Sequence, residues 1–70
     1  MTAQEWTREY CERIGVPPPS DEDVELLLEL AGVAAHASER VAAPVACWLA
    51  ARAGLGPRVA LERAREVAAE

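Results

Sequence analysis

Seventy residues, with 12 acidic side chains against 7 basic ones and a net charge of −5, make one small acidic domain spanning residues 1–70. Nucleic-acid binders need a basic footprint to displace counterions, and an acidic chain is repelled by bulk nucleic acid and by anionic membranes alike. No apolar run approaches the ~18 residues of a membrane span, and the opening MTAQEWTREY has neither the basic region nor the apolar core of a secretory leader, so a cytoplasmic protein is expected. A chain this short buries only about 60% of its unfolded surface, which leaves little room for a large enclosed active site. Fine packing or a partner must decide its stability.

The first segment, Thr2 to Ile14, carries Ala3, Trp6, Tyr10 and Ile14 at helical spacing, with Glu5, Arg8, Glu9 and Glu12 mostly opposite. Glu9 and Arg13 form an i,i+4 pair in the favourable order. Gly15-Val16-Pro17-Pro18-Pro19 then stops the helix, because successive prolines favour an extended stretch. Ser20 can cap the next helix, with Asp23 three residues later, and Asp21, Glu22 and Asp23 suit the positive end of its dipole. This second helix is expected from Asp21 to about Ser38. One face carries Val24, Leu27, Leu28, Ala31 and Ala35; a second strip carries Leu26, Leu30, Val33 and Ala37. A helix apolar on two sides is central in a bundle or shared with another chain. A homodimer through Leu26, Leu30 and Val33 is the expectation this raises.

The third segment, about Ala43 to Ala53, has Pro44 near its start and is rich in alanine, with Val45, Trp48, Leu49 and Arg52 on one side. Trp48 has two readings, a partner anchor or a core plug; the absence of Phe favours the plug. Gly54-Leu55-Gly56-Pro57 reads as a stop, turn and restart. The fourth segment, Pro57 to Ala69, places Ala60, Ala64, Val67 and Ala68 inward and Arg58, Glu62, Arg65 and Glu66 outward. The expected fold is all-α, a compact bundle of four short helices.

Catalytic sets are missing. One His and two well-separated Cys make no spaced metal-ligand set, and Cys11 and Cys47 are expected as free, buried thiols. The acids at Asp21 and Asp23 read as a helix-start cluster rather than a cation site. Gly54-Leu55-Gly56 lacks the lysine and the preceding strand of a phosphate loop. No Ser or Cys has a base and an orienting third group. No enzyme activity and no cofactor are therefore expected. The sharpest polar set is His36 with Arg40. On a continuous helix they share a face with Glu29 and Val33, where an anion or a partner carboxylate could be held. In the structural reading of the same pair, Arg40 binds carbonyls at the helix end while His36 caps or packs.

The stretch Ala35-His36-Ala37-Ser38-Glu39-Arg40-Val41-Ala42-Ala43-Pro44 resembles a motif, His-x-x-x-Arg-x-Ala-Ala-Pro, of a small helical domain of unknown function from GC-rich bacteria. The matching positions are His36, Arg40, Ala42, Ala43 and Pro44. The Trp-bearing first helix, the proline turn and the acidic start of the second helix extend the resemblance over nearly the whole chain. Family members often have Pro directly after the Arg, where this chain has Val41, which implies a softer break before the third helix. The resemblance implies a genomic and physical association with molybdenum cofactor assembly and not catalysis, since such domains are encoded either alone or as a tail behind molybdenum cofactor guanylyltransferase. The expected function is thus a non-enzymatic helical accessory module acting by protein–protein contact, beside molybdenum cofactor biosynthesis and self-associating. The alternative is a module that holds a small anion or nucleotide phosphate at His36 and Arg40. A DNA regulator is disfavoured, since neither the third nor the fourth segment offers a basic face.

Overall fold

In a computed structural model that describes all of residues 1–70, the chain forms four α-helices and no strand. They are α1 (Ala3–Ile14), α2 (Asp21–Ala37), α3 (Ala42–Arg52) and α4 (Pro57–Ala69). The all-α, four-helix expectation holds, and local chemistry explains most of the boundaries.

Helix α1 opens with a reciprocal capping box. The Glu5 amide donates to Thr2 Oγ1 at 3.0 Å, and the Thr2 amide donates to Glu5 Oε1 at 3.3 Å. The Thr-x-x-Glu signal for this box stands in the sequence. At the other end Gly15 adopts φ +79°, and its N–H donates to the Cys11 carbonyl, the left-handed cap that glycine accepts at least cost. Thr2→Ala is expected to cost about 1 kcal/mol of local helix stability. The check is amide exchange, which should quicken at Glu5 and Trp6 and stay unchanged in α2–α4.

Helix α2 starts on Ser20, whose Oγ accepts from the Asp23 amide at 3.1 Å. It ends at Ala37, where Ser38 turns away with φ −138° and ψ −98° and donates its Oγ hydrogen bond to the Ala34 carbonyl at 2.8 Å. Helix α3 starts at Ala42, slightly earlier than expected, with no side-chain cap; a turn closed by the Ala42 and Ala43 amides on the Glu39 and Arg40 carbonyls leads into it. Pro44 therefore sits third in the helix, where its missing N–H is still one that no helical carbonyl needs.

Helix α2 is the hub, and the other packed helices are spokes: α3 and α4 each pack chiefly on α2. The core is Leu30, 2% exposed, with Ala60 and Leu61 at 4% each, flanked by Leu26, Leu27, Val33, Cys47, Ala50 and Ala64. Two ion pairs line the α2–α4 seam, Glu22–Arg58 at 2.9 Å and Glu29–Arg65 at 3.1 Å. Both partners step forward together by seven residues, two helical turns, so α2 and α4 run parallel along the seam. All four side chains are well exposed, so each pair is worth at most about 1 kcal/mol and serves register more than stability. The whole is a compact helical globule with extents 38 × 24 × 18 Å.

This arrangement corrects several expected faces. The strip Leu26, Leu30 and Val33 is the chain's own inner face and not a free flank, because Glu22, Leu26, Glu29, Leu30 and Val33 share the side of α2 that α4 occupies. Leu28 of the other strip is 67% exposed, and Val67, expected inward, is 69% exposed. Leu61 takes the inward position instead. Trp48 is no core plug; it is 60% exposed. The common cause is the hub geometry, since α3 and α4 are covered mainly on the side that meets α2. Cys11 and Cys47 are both free, Cys11 buried and Cys47 partly so. No helix is long and apolar enough to cross a membrane.

Candidate functional site

Every aromatic ring of this chain lies at the surface. Trp6 is 54% exposed, Tyr10 50% and Trp48 60%. An aromatic side chain carries 150–250 Å² of largely apolar area, and a small core ordinarily takes it first. On α1 the i,i+4 spacing lays Trp6 over Tyr10 in a stacked pair, ring centroids 4.9 Å apart and planes 21° from parallel. Ile14, one turn on, continues the same exposed stripe. Of the twelve residues of α1 only Cys11 is buried, so the helix stands at the periphery with its apolar face outward. The sequence spacing identified that face correctly as apolar; the fold leaves it uncovered.

On α3 the Arg52 guanidinium lies over the Trp48 ring, 5.1 Å from its centroid. At an exposed site this contact is worth about 0.5–1 kcal/mol. Val45 and Leu49, each at least half exposed, lie beside Trp48 on the same side of the helix. Val45, Trp48, Leu49 and Arg52 thus share one face as the spacing indicated, but it is an outer face.

The polar set reads differently in three dimensions. His36 lines a shallow, open hollow with Glu29, Gly32, Val33, Ala37, Arg65 and Ala68. Gly32 leaves its floor clear, since a Cβ there would meet nothing within 4 Å. Arg40 is not part of this hollow. The helix ends at Ala37, so Arg40 falls in the turn beyond it and the face shared with His36 is not built. The basic group beside His36 is Arg65 of α4, already paired with Glu29 at 3.1 Å. Nor does Arg40 close the helix end, because Ser38 does so. Arg65 was beyond sequence reasoning, as its place depends on the parallel register of α2 and α4. No three His, Cys, Asp or Glu side chains converge in a way that could hold a metal ion. A second hollow, between α1 and the start of α2, is lined by Thr7, Arg8, Pro18, Pro19, Ser20, Asp21, Val24 and Glu25 among others.

The family model of the domain of unknown function DUF6457 matches residues 1–70, the full length of the chain. The chain belongs to the DUF6457 family. No curated protein and no solved structure matches it. What this DUF6457 domain offers a partner is therefore read from its own surface, where two helical faces carry the exposed aromatic side chains.

Proposed function

We propose that this DUF6457 domain is a non-enzymatic, cytoplasmic protein-interaction module that docks on molybdenum cofactor guanylyltransferase and also associates with itself. The observation that carries the reading is the outward placement of Trp6, Tyr10 and Ile14 on a peripheral helix. An amphipathic helix with anchors at successive turns is the form that a hydrophobic groove on a partner accepts. Trp and Tyr are the side chains most often found at the energetic centre of such contacts. The link to molybdenum cofactor biosynthesis rests on the His36-to-Pro44 motif and the resemblance it carries. The free thiols of Cys11 and Cys47 suit a reducing compartment. The alternative, an anion or nucleotide held between His36 and Arg40, is less favoured, because α2 ends at Ala37 and Arg40 lies in the turn beyond it.

The test is calorimetric titration of the domain into purified molybdenum cofactor guanylyltransferase from the same organism. Saturable binding is expected, and Trp6→Ala should weaken it by about 30-fold, the effect of losing an anchor worth roughly 2 kcal/mol. Absence of binding heat and of comigration on a sizing column would overturn the docking assignment.

A further inference from the structure

We infer that a second copy of this chain covers the outer face of α3, with Val45, Trp48, Leu49 and Arg52 packed across a twofold axis. This deepens the interaction-module reading by naming the surface used for self-association, and it moves that surface from α2 to α3.

The chain exposes 5575 Å². A folded monomer of 7.5 kDa ordinarily exposes about 4,200 Å². The excess, about 1,400 Å², exceeds the roughly 800 Å² that each partner contributes to a standard interface. A dimer contact of ordinary size therefore removes more than half of that excess.

Charge decides which face and which partner. The chain carries a net −5, so two copies repel one another over most of their surface. Helix α3, Ala42–Arg52, is the one helix without an acidic residue, and its only charge is Arg52. Two copies can approach along α3 without opposing carboxylates, and the depletion of charge matches the centre of a homodimer interface. The face is apolar where it is uncovered, with Val45 55%, Trp48 60% and Leu49 50% exposed. Arg52 already covers part of the Trp48 ring, so the guanidinium can remain as the rim while the ring goes to the centre. A twofold axis near Trp48, with the two α3 helices antiparallel, brings the Val45 turn of one copy beside the Leu49–Arg52 turn of the other. Such a contact is isologous and closes on itself, so it yields a dimer and not a filament.

Sedimentation equilibrium of the full chain over about 1 µM to about 1 mM, the span in which weak dimers dissociate, tests this. The weight-average mass is expected to rise from 7.5 kDa toward twice that value. Trp48→Glu should raise the dissociation constant by at least about 30-fold, with helical circular dichroism unchanged because the side chain is already 60% exposed. Trp6→Glu, on the α1 face, should leave the concentration dependence as it is. In a Trp6→Phe background Trp48 is the sole tryptophan, and its emission should shift to the blue as the dimer forms. A chain monomeric across the whole range overturns the inference. So does a dimer lost in Trp6→Glu and retained in Trp48→Glu. A monomer that still binds the guanylyltransferase overturns the dimer alone; a dimer that ignores the enzyme overturns only the docking assignment.

Discussion

Leu30→Ala is expected to lower the stability of this domain by about 2–5 kcal/mol, the usual result of emptying a buried leucine site. Leu30 is 2% exposed and packs where α3 and α4 meet the hub helix α2, with Leu26, Leu27 and Val33 of its own helix, Cys47 and Ala50 of α3, and Ala64 of α4 all around the same small core. No other leucine on α2 is as deeply placed. A 70-residue domain holds only about 4–10 kcal/mol in total. The truncation therefore removes a large part of it, and the hub loses its grip on both spokes at once. Urea titration followed by circular dichroism is the measurement. The expected outcome is a lowered midpoint with loss of helix in a single transition. A cost below about 1 kcal/mol would mean that the core centre lies elsewhere. Leu28→Ala is the matched control: at 67% exposed it should change stability by no more than about 0.5 kcal/mol.

The opposite change at the same seam is the second large effect. Ala60→Leu should destabilise by about 1–3 kcal/mol through overpacking. Ala60 is 4% exposed, and the small side chains Ala60 and Ala64 let α4 come close to α2. A longer side chain at Ala60 pushes the helices apart and lengthens the Glu22–Arg58 and Glu29–Arg65 contacts, which are 2.9 and 3.1 Å in the native seam. Thermal unfolding should show a lower midpoint, and amide exchange should quicken first in α4. An Ala69→Leu variant, at the exposed end of α4, should be neutral. If the two variants behave alike, the tight α2–α4 approach is not what holds α4 in place.

The helices were legible because their ends are written locally. Ser20, Gly15, the three prolines and the Gly54-to-Pro57 turn each act through their own backbone geometry, and the structure places boundaries at or within a residue or two of them. The Thr2–Glu5 capping box is a signal that the periodicity of α1 passes over, although it needs only a three-residue spacing. The faces were harder. Two strips of α2 are apolar to a similar degree, and periodicity says that each is apolar without saying which neighbour covers it. Periodicity leaves the Leu26–Leu30–Val33 strip open to a partner chain or to the bundle centre, and α4 and the core occupy it. Composition favours Trp48 as a core plug over a partner anchor, and its ring stands at the surface. The His36–Arg40 pairing assumed a helix continuing past Ser38, and a single backbone turn there separates the two residues.

What this sequence determined by itself is the all-α class, the number of helices and nearly all of their limits, because capping, proline and glycine preferences act over three or four residues. What only the tertiary structure decided is coverage. The parallel register of α2 and α4, the burial of Leu61, and the exposure of Trp6, Tyr10 and Trp48 depend on which helices meet. That choice turns on contacts between residues far apart in the chain, where several apolar faces of similar strength compete for too few neighbours. In this domain the competition leaves its aromatic side chains on the outside.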